Sequence, residues 1–180
     1  MATKKKAAKP LKYSTLHELL ILKLQVLHDI ENQLIKALPK MAKAATDPDL
    51  RAAFESHLEE TKVHEERIDQ ALELAGDPGK HKQKSEAIRG LIKDAQWSIA
   101  RVKEAHARDA ILIASAQYVE HYEMAGYGAA RTWAEDMGHA EIAHLLQATL
   151  DEEGAANKKL TTLAEGGINE NVVSGMDGEI

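Results

Sequence analysis

The chain has 180 residues and a mass of 19.8 kDa, the size of one ordinary domain. Aromatic residues make up only 4% against 44% hydrophobic, so Ala, Leu and Ile must supply the core, which favours helices over strands. With no Cys, a disulfide, a thiolate nucleophile, a zinc finger and a thiolate-held iron-sulfur cluster are excluded, and any metal must be held by Glu, Asp, His or a carbonyl.

Met1 to Pro10 carries Lys4, Lys5, Lys6 and Lys9 and lacks an apolar signal-peptide core, so residues 1–12 are expected as a disordered basic tail on a cytoplasmic protein. Removing those four charges from the net −6 leaves a body of −10, a poor electrostatic match for nucleic acid except through the tail. No stretch reaches the roughly 18 uncharged apolar residues of a membrane span.

Thr15-Leu-His-Glu18 has the spacing of a capping box, and Leu20, Leu24, Leu27, Glu31, Leu34 and Leu38 follow at steps of three and four, predicting a long helix that Pro39 kinks or shortens. Asp47 and Pro48 are a natural N-cap and first helical residue for a second helix, ending before Gly76-Asp77-Pro78-Gly79. Ser85 to about Ala105 reads as an amphipathic crossover helix through Ile88, Leu91, Ile92 and Trp97. A further helix runs from about Asp109 to Met137-Gly138 and another from about Glu141 to Gly166-Gly167, followed by a loose tail over 167–180. Two short-turn hairpins joined by one long crossover give an all-α, ferritin-like four-helix bundle over residues 13–166.

Each bundle helix interrupts its apolar stripe with a Glu: Glu31, Glu60, Glu120 and Glu153. The first pair is 29 residues apart and the second 33, so each can meet across the turn of its hairpin. An unpaired buried charge costs several kcal/mol against a total stability of about 5 to 15 kcal/mol, so four converging carboxylates need protons, cationic side chains or metal ions. Arg67 is the nearest cationic side chain. Two divalent ions neutralise four carboxylates, and oxygen ligands with one or two imidazoles suit iron or manganese. His57-x-x-Glu60, Glu60-x-x-x-His64 and His28-x-x-Glu31 put a His on the same face as a Glu, and Glu123 stands one turn after Glu120. Tyr127 lies on the inward side of its helix near these carboxylates. His17, His81, His106, His139 and His144 fall near helix ends or in connections and read as surface residues. No GxGxxG, P-loop, GxSxG or HExxH pattern occurs, so nucleotide use, serine hydrolysis and zinc proteolysis have no support.

Several stretches carry a resemblance: His28-Asp-Ile-Glu-Asn-Gln-Leu34, Lys36-Ala-Leu-Pro-Lys-Met-Ala42, His57-Leu-Glu-Glu-Thr61, Glu66-Arg-Ile-Asp69, Asp109-Ala-Ile-Leu-Ile-Ala114, Val119-Glu-His-Tyr-Glu123 and Leu150-Asp-Glu-Glu153. Over about residues 13–165 the sequence resembles the YciE/YciF-like ferritin-like proteins of bacteria. The resemblance implies a four-helix bundle with a dinuclear metal centre and an association with stress responses. By position it carries over Glu31, Glu60, Glu120 and Glu153 as inward acidic residues, with His57 and Glu123 as companions. Departures are His28, where the family usually has Tyr, and Gly154 and Asn157, which replace Lys and Asp.

Together these readings give an expected site of Glu31, Glu60, Glu120, Glu153, His57, Glu123 and His64 around two iron ions, with manganese as the alternative. Oxygen or hydrogen peroxide is the expected small-molecule partner, as for a di-iron oxidase or peroxidase. A homodimer is expected rather than a storage cage. The competing expectation is a metal-free helical stress or scaffold protein.

Overall fold

The structure, a computed structural model, describes residues 13–77 and 83–176. The expected basic tail, His81, Pro78-Gly79 and the last four residues lie outside them. Helix α1 spans Leu16–Ala44 and begins with the capping box: Glu18 donates its backbone N–H to Thr15 Oγ1 at 3.2 Å, and Glu18 Oε2 accepts from the Thr15 N–H at 3.0 Å. It runs through Pro39 and continues to Ala44, so Pro39 does not end it. Asp47 caps α2, Pro48–Leu74, by accepting from the Asp49 and Leu50 N–H groups at 2.9 Å each.

The crossover holds α3, Glu86–Arg101, capped by Ser85 and laid against α4 and α1. Its entry is anchored on α1, where buried Asp29 accepts from the Ser85 N–H at 2.9 Å and from Lys84 Nζ at 2.7 Å. Trp97, expected on the packed face, is 58% exposed, with the Arg101 guanidinium 4.3 Å from its ring centroid.

Helix α4 spans Ala105–Asp136, capped by Glu104 rather than started at Asp109. Asp109 instead turns inward, buried, and accepts the Thr46 and Asp47 N–H groups at 2.8 and 2.7 Å, tying the α1–α2 turn to α4. Gly138, with φ of 77°, closes α4 before α5, Ala140–Leu163. The tail expected to be loose from residue 167 is helical as far as it is described. A π-helical turn over Ala164–Ile168 leads to α6, Asn169–Met176, which packs on α4 with Ile168 buried. Gly167, at φ of 132°, marks the kink between α5 and α6.

Helices α1, α2, α5 and α4 pack in a closed ring, so the protein is a four-helix bundle with one long crossover containing an extra helix. No strand occurs among the described residues. No helix among them is long and apolar enough to cross a membrane. The core is leucine, isoleucine and alanine from all four helices, with Phe54 and Tyr127 as its buried aromatic rings.

Candidate metal centre

Midway along the bundle, α1 sends in Glu31, α2 His57 and His64, α4 Glu120 and Glu123, and α5 Glu153, and all six are buried. Five of them, all but Glu123, form two groups of three, Glu31 with His64 and Glu153, and His57 with Glu120 and Glu153, in each of which the ligand atoms lie within 4.8 Å of one another. Glu153 belongs to both. Its Oε1 is 2.9 Å from His64 Nδ1, and its Oε2 is 3.7 Å from His57 Nε2. Glu31 Oε2 is 4.0 Å from His64 Nδ1, and Glu120 Oε1 is 3.3 Å from His57 Nε2.

Proximity here is not pairing. Glu31 Oε2, Glu120 Oε2, His64 Nδ1 and both oxygens of Glu123 and Glu153 have no hydrogen-bond partner, the short His64–Glu153 approach lying off hydrogen-bond geometry. Buried polar atoms are ordinarily satisfied, so this many orphans aimed at a common space fit a cation held between them. The donor set of carboxylates and two imidazoles suits iron or manganese in chemistry as well as charge.

The two imidazoles are held from behind. Glu60 Oε2 lies 3.2 Å from His57 Nδ1, leaving Nε2 to face the cluster. Glu152 Oε2 lies 2.8 Å from His64 Nε2, leaving Nδ1 inward. Arg67 fixes Glu152 through Nη1 to Oε2 and Nη2 to Oε1, the latter at 3.0 Å. Carboxylate partners on the outer nitrogen orient ligating histidines in this way. Tyr127 donates its hydroxyl to Glu31 Oε1, leaving Oε2 for the cluster.

Electrostatics follow from dryness. Burial, then the nearby Glu153 charge, pushes the Glu31 carboxyl up to about 8. Burial pushes Glu120 to about 7 against the pull of His57. Glu123, buried among Glu153, Glu31 and Glu120, is raised well above the carboxylate range. Burial also opposes the charge on Glu153, but His64 and His57 outweigh it and hold Glu153 below its ordinary value. For His57, burial disfavours the imidazolium, yet the Glu120 and Glu60 carboxylates beside it carry it well above normal. Glu153 and Glu31 likewise raise His64 despite its burial.

Of the seven residues expected at the site, six converge and Glu60 does not join them: its side chain is 45% exposed and bonds His57 instead. The register explains this. Glu31 lies sixteen residues before Asp47 and His64 seventeen after it, so these two meet across the turn, while Glu60 sits a helical turn closer to it. Thr61, buried and bonded to the His57 carbonyl oxygen at 2.7 Å, occupies the stripe between the histidines. His28 also stays outside the cluster, facing Glu65 and Asp69 of α2. Glu152 stood in the sequence only within the stretch Leu150-Asp-Glu-Glu153, and its place behind His64 is set by the packing of α5 on α2 rather than by any local pattern. A cleft lined by Ala53, His57, Glu60, Glu120, Ala156 and Lys159 leads from the surface to the His57 side.

Comparison with known proteins agrees with this fold. Residues 15–173 match the family described as Domain of unknown function (DUF892). The chain is 43% identical to Protein YciF of Escherichia coli (strain K12) over 155 residues, 86% of this chain and 93% of YciF. The crystal structure of the E. coli stress protein YciF matches with a TM-score of 0.83 and 42% identity, over 87% of this chain and 99% of that one. YcfI from Rhodopseudomonas palustris matches at 0.80 and 42%, over 83% and 94%. A Xanthomonas campestris pv. campestris protein, 20% identical with a TM-score of 0.67 over 92% and 99%, shares the fold. The chain therefore belongs to the DUF892 family, as a relative of YciF.

Proposed function

We propose that this chain is a ferritin-like di-metal protein, using iron or manganese, whose reduced centre reacts with oxygen or peroxide. The observation that carries the proposal is the pair of buried three-ligand groups sharing Glu153, with carboxylate oxygens that have no other partner. Glu31, His64 and Glu153 would hold one ion and His57, Glu120 and Glu153 the other, with Glu123 supplying further oxygens. Two adjacent ions supply the two electrons that reduction of peroxide consumes. The chain's own part is to hold the ligands on four long helices, orient each imidazole through Glu60 or Glu152, and keep bulk water out. Ala53 and Ala156 leave the His57 side open to a small oxidant through the cleft. Association of YciF with stress fits such chemistry.

A second reading has its own support. Raised values at Glu31, Glu120 and Glu123, with two imidazoliums beside Glu153, let protons alone make the pocket tolerable, as a metal-free helical scaffold requires. Metal analysis of protein produced with added iron or manganese separates the two. About two ions per chain supports the di-metal reading, and no metal under any supply supports the scaffold. Peroxide consumption by the reduced, loaded protein then tests the reaction.

A further inference from the structure

The two imidazoles of the cluster are braced by unequal means. Glu60 and Glu152, the carboxylates behind them, are similarly open to water, with side chains 45 and 39% exposed, so burial does not separate them. Their own partners do. Glu60 sits one turn after His57 on the same helix, lies 3.2 Å from its Nδ1 and, among the described residues, has no other hydrogen-bond or ion-pair partner. Glu152 reaches from α5 to His64 of α2, and Arg67 of α2 grips it in return. Arg67 Nη1 donates to Glu152 Oε2 and Nη2 to Oε1, the latter at 3.0 Å, while Nη1 also reaches Oγ1 of buried Thr149 at 3.3 Å. A two-point guanidinium fork fixes a carboxylate in plane and in direction, which one contact to a ring nitrogen does not.

The remaining ligands repeat the difference. Buried Tyr127 donates to Glu31 Oε1 and leaves Oε2 facing His64. Glu120 gains no such outside donor: its Oε1 faces His57 at 3.3 Å and its Oε2 has no hydrogen-bond partner. The cleft from the surface is lined by His57, Glu60 and Glu120 but not by Glu31 or His64.

We propose that Arg67 is a positioning residue that acts through Glu152 and His64 to make the two halves of the cluster unequal, the half of Glu31, His64 and Glu153 retaining its ion and the half of His57, Glu120 and Glu153 exchanging its ion through the cleft. This rests on the di-metal reading above. A ligand already held in its binding direction loses little freedom when an ion arrives, and it must break an outside bond to swing away, so the braced half binds tighter and releases more slowly. Partners behind a ligating histidine are worth about 10 to 100-fold in metal affinity, which sets the size of the difference. Exchange is then confined to the His57 side, while the retained ion anchors Glu153, which serves both halves.

The test follows release of Co²⁺ from the loaded full chain into excess EDTA, by absorbance and by counting the metal retained, for wild type, Arg67→Lys, Glu152→Gln and Glu60→Gln. Wild type is expected to lose one equivalent quickly and the second more slowly, by about tenfold or more. Arg67→Lys keeps the charge and loses the fork, so it should speed the slow phase by about 10 to 100-fold and leave the fast phase as it is. Glu152→Gln should do the same, and Glu60→Gln should speed the fast phase alone. A general loosening of the bundle speeds both phases, so selectivity for one phase separates positioning from a packing defect, and thermal melts in EDTA check that each variant folds. Two equivalents leaving wild type at one rate overturn the proposal while the di-metal reading stands. A slow phase that Arg67→Lys and Glu152→Gln leave unchanged, or both phases sped alike by them, overturns it too. A wild-type chain that takes up no Co²⁺ refutes the di-metal reading itself, and this proposal with it.

Discussion

Glu153→Gln is the most informative change in the buried cluster, because one side chain faces both histidines. Its carboxylate puts Oε1 2.9 Å from His64 Nδ1 and Oε2 3.7 Å from His57 Nε2, and the carboxamide keeps the volume while removing the charge from both groups. A metal held at a hundred times its dissociation constant stabilises by about 2.7 kcal/mol per site, which for a chain of this size is roughly 5 to 11 °C in Tm. Two occupied sites should therefore raise the Tm of chelator-treated protein by about twice that amount when Mn²⁺ or Co²⁺ is added. Glu153→Gln should lose the whole rise, whereas Glu31→Gln and Glu120→Gln, each touching one group, should lose about half. Differential scanning calorimetry with metal analysis of the same samples reads both quantities, and each variant is compared with its own chelated state so that a change in the metal-free fold cancels. A metal-induced rise that survives in Glu153→Gln refutes the shared-ligand geometry. So does its complete loss in Glu31→Gln alone.

Metal-free protein should lose stability as the pH rises from about 4.5 to about 8, on the order of several kcal/mol. Glu120 near 7 and Glu31 near 8 sit above their unfolded values, so folding takes up protons there and the stability they lend disappears as pH climbs through those values; thermal melts in chelator check this, and a flat profile would contradict it. Ala156→Leu, which fills the cleft beside His57 and Glu120, should slow metal loading severalfold without changing the final stoichiometry, as followed by Co²⁺ absorbance against time. Asp109→Ala removes the acceptor of two N–H groups in the α1–α2 turn and should cost about 3 kcal/mol in denaturant unfolding while leaving the bound metal per chain unchanged.

Features encoded by neighbours in sequence were legible, and those set by contacts across the fold were not. The Thr15–Glu18 box and the Asp47-Pro48 start act within one turn of helix, so spacing alone reveals them. Asp109 looks like a helix cap by the same local logic, yet it serves a turn 62 residues away while Glu104 does the capping. Gly166-Gly167 reads as a stop, and Gly167 does bend the chain, but burial of Ile168 lets the helix resume as α6. Within the cluster, Glu31, Glu120 and Glu153 declare themselves as charges where an apolar stripe should continue. Glu60 fits that pattern equally well and fails it, because the register of a hairpin is fixed by where its turn closes. That point shifts the partner of Glu31 from Glu60 to His64.

Charge neutrality in a dry pocket links the two readings of the cluster. Each imidazole lies between an outer carboxylate and an inner one, His57 between Glu60 and Glu120, His64 between Glu152 and Glu153. That placement favours the doubly protonated ring when no ion is present. On the proposed di-metal reading the inner nitrogens of His57 and His64 would hold the ions, so each ring would give up its inner proton while its outer hydrogen bond to Glu60 or Glu152 keeps it aimed. Protonated Glu31, Glu120 and Glu123 are further proton sources. Two divalent ions would bring four positive charges, and holding the buried charge constant would require protons to leave in similar number. On the di-metal reading proposed above, the same side chains would form a proton-filled core without metal and a ligand set with it. Affinity for such ions would then rise steeply with pH, through the range in which the metal-free fold loses stability.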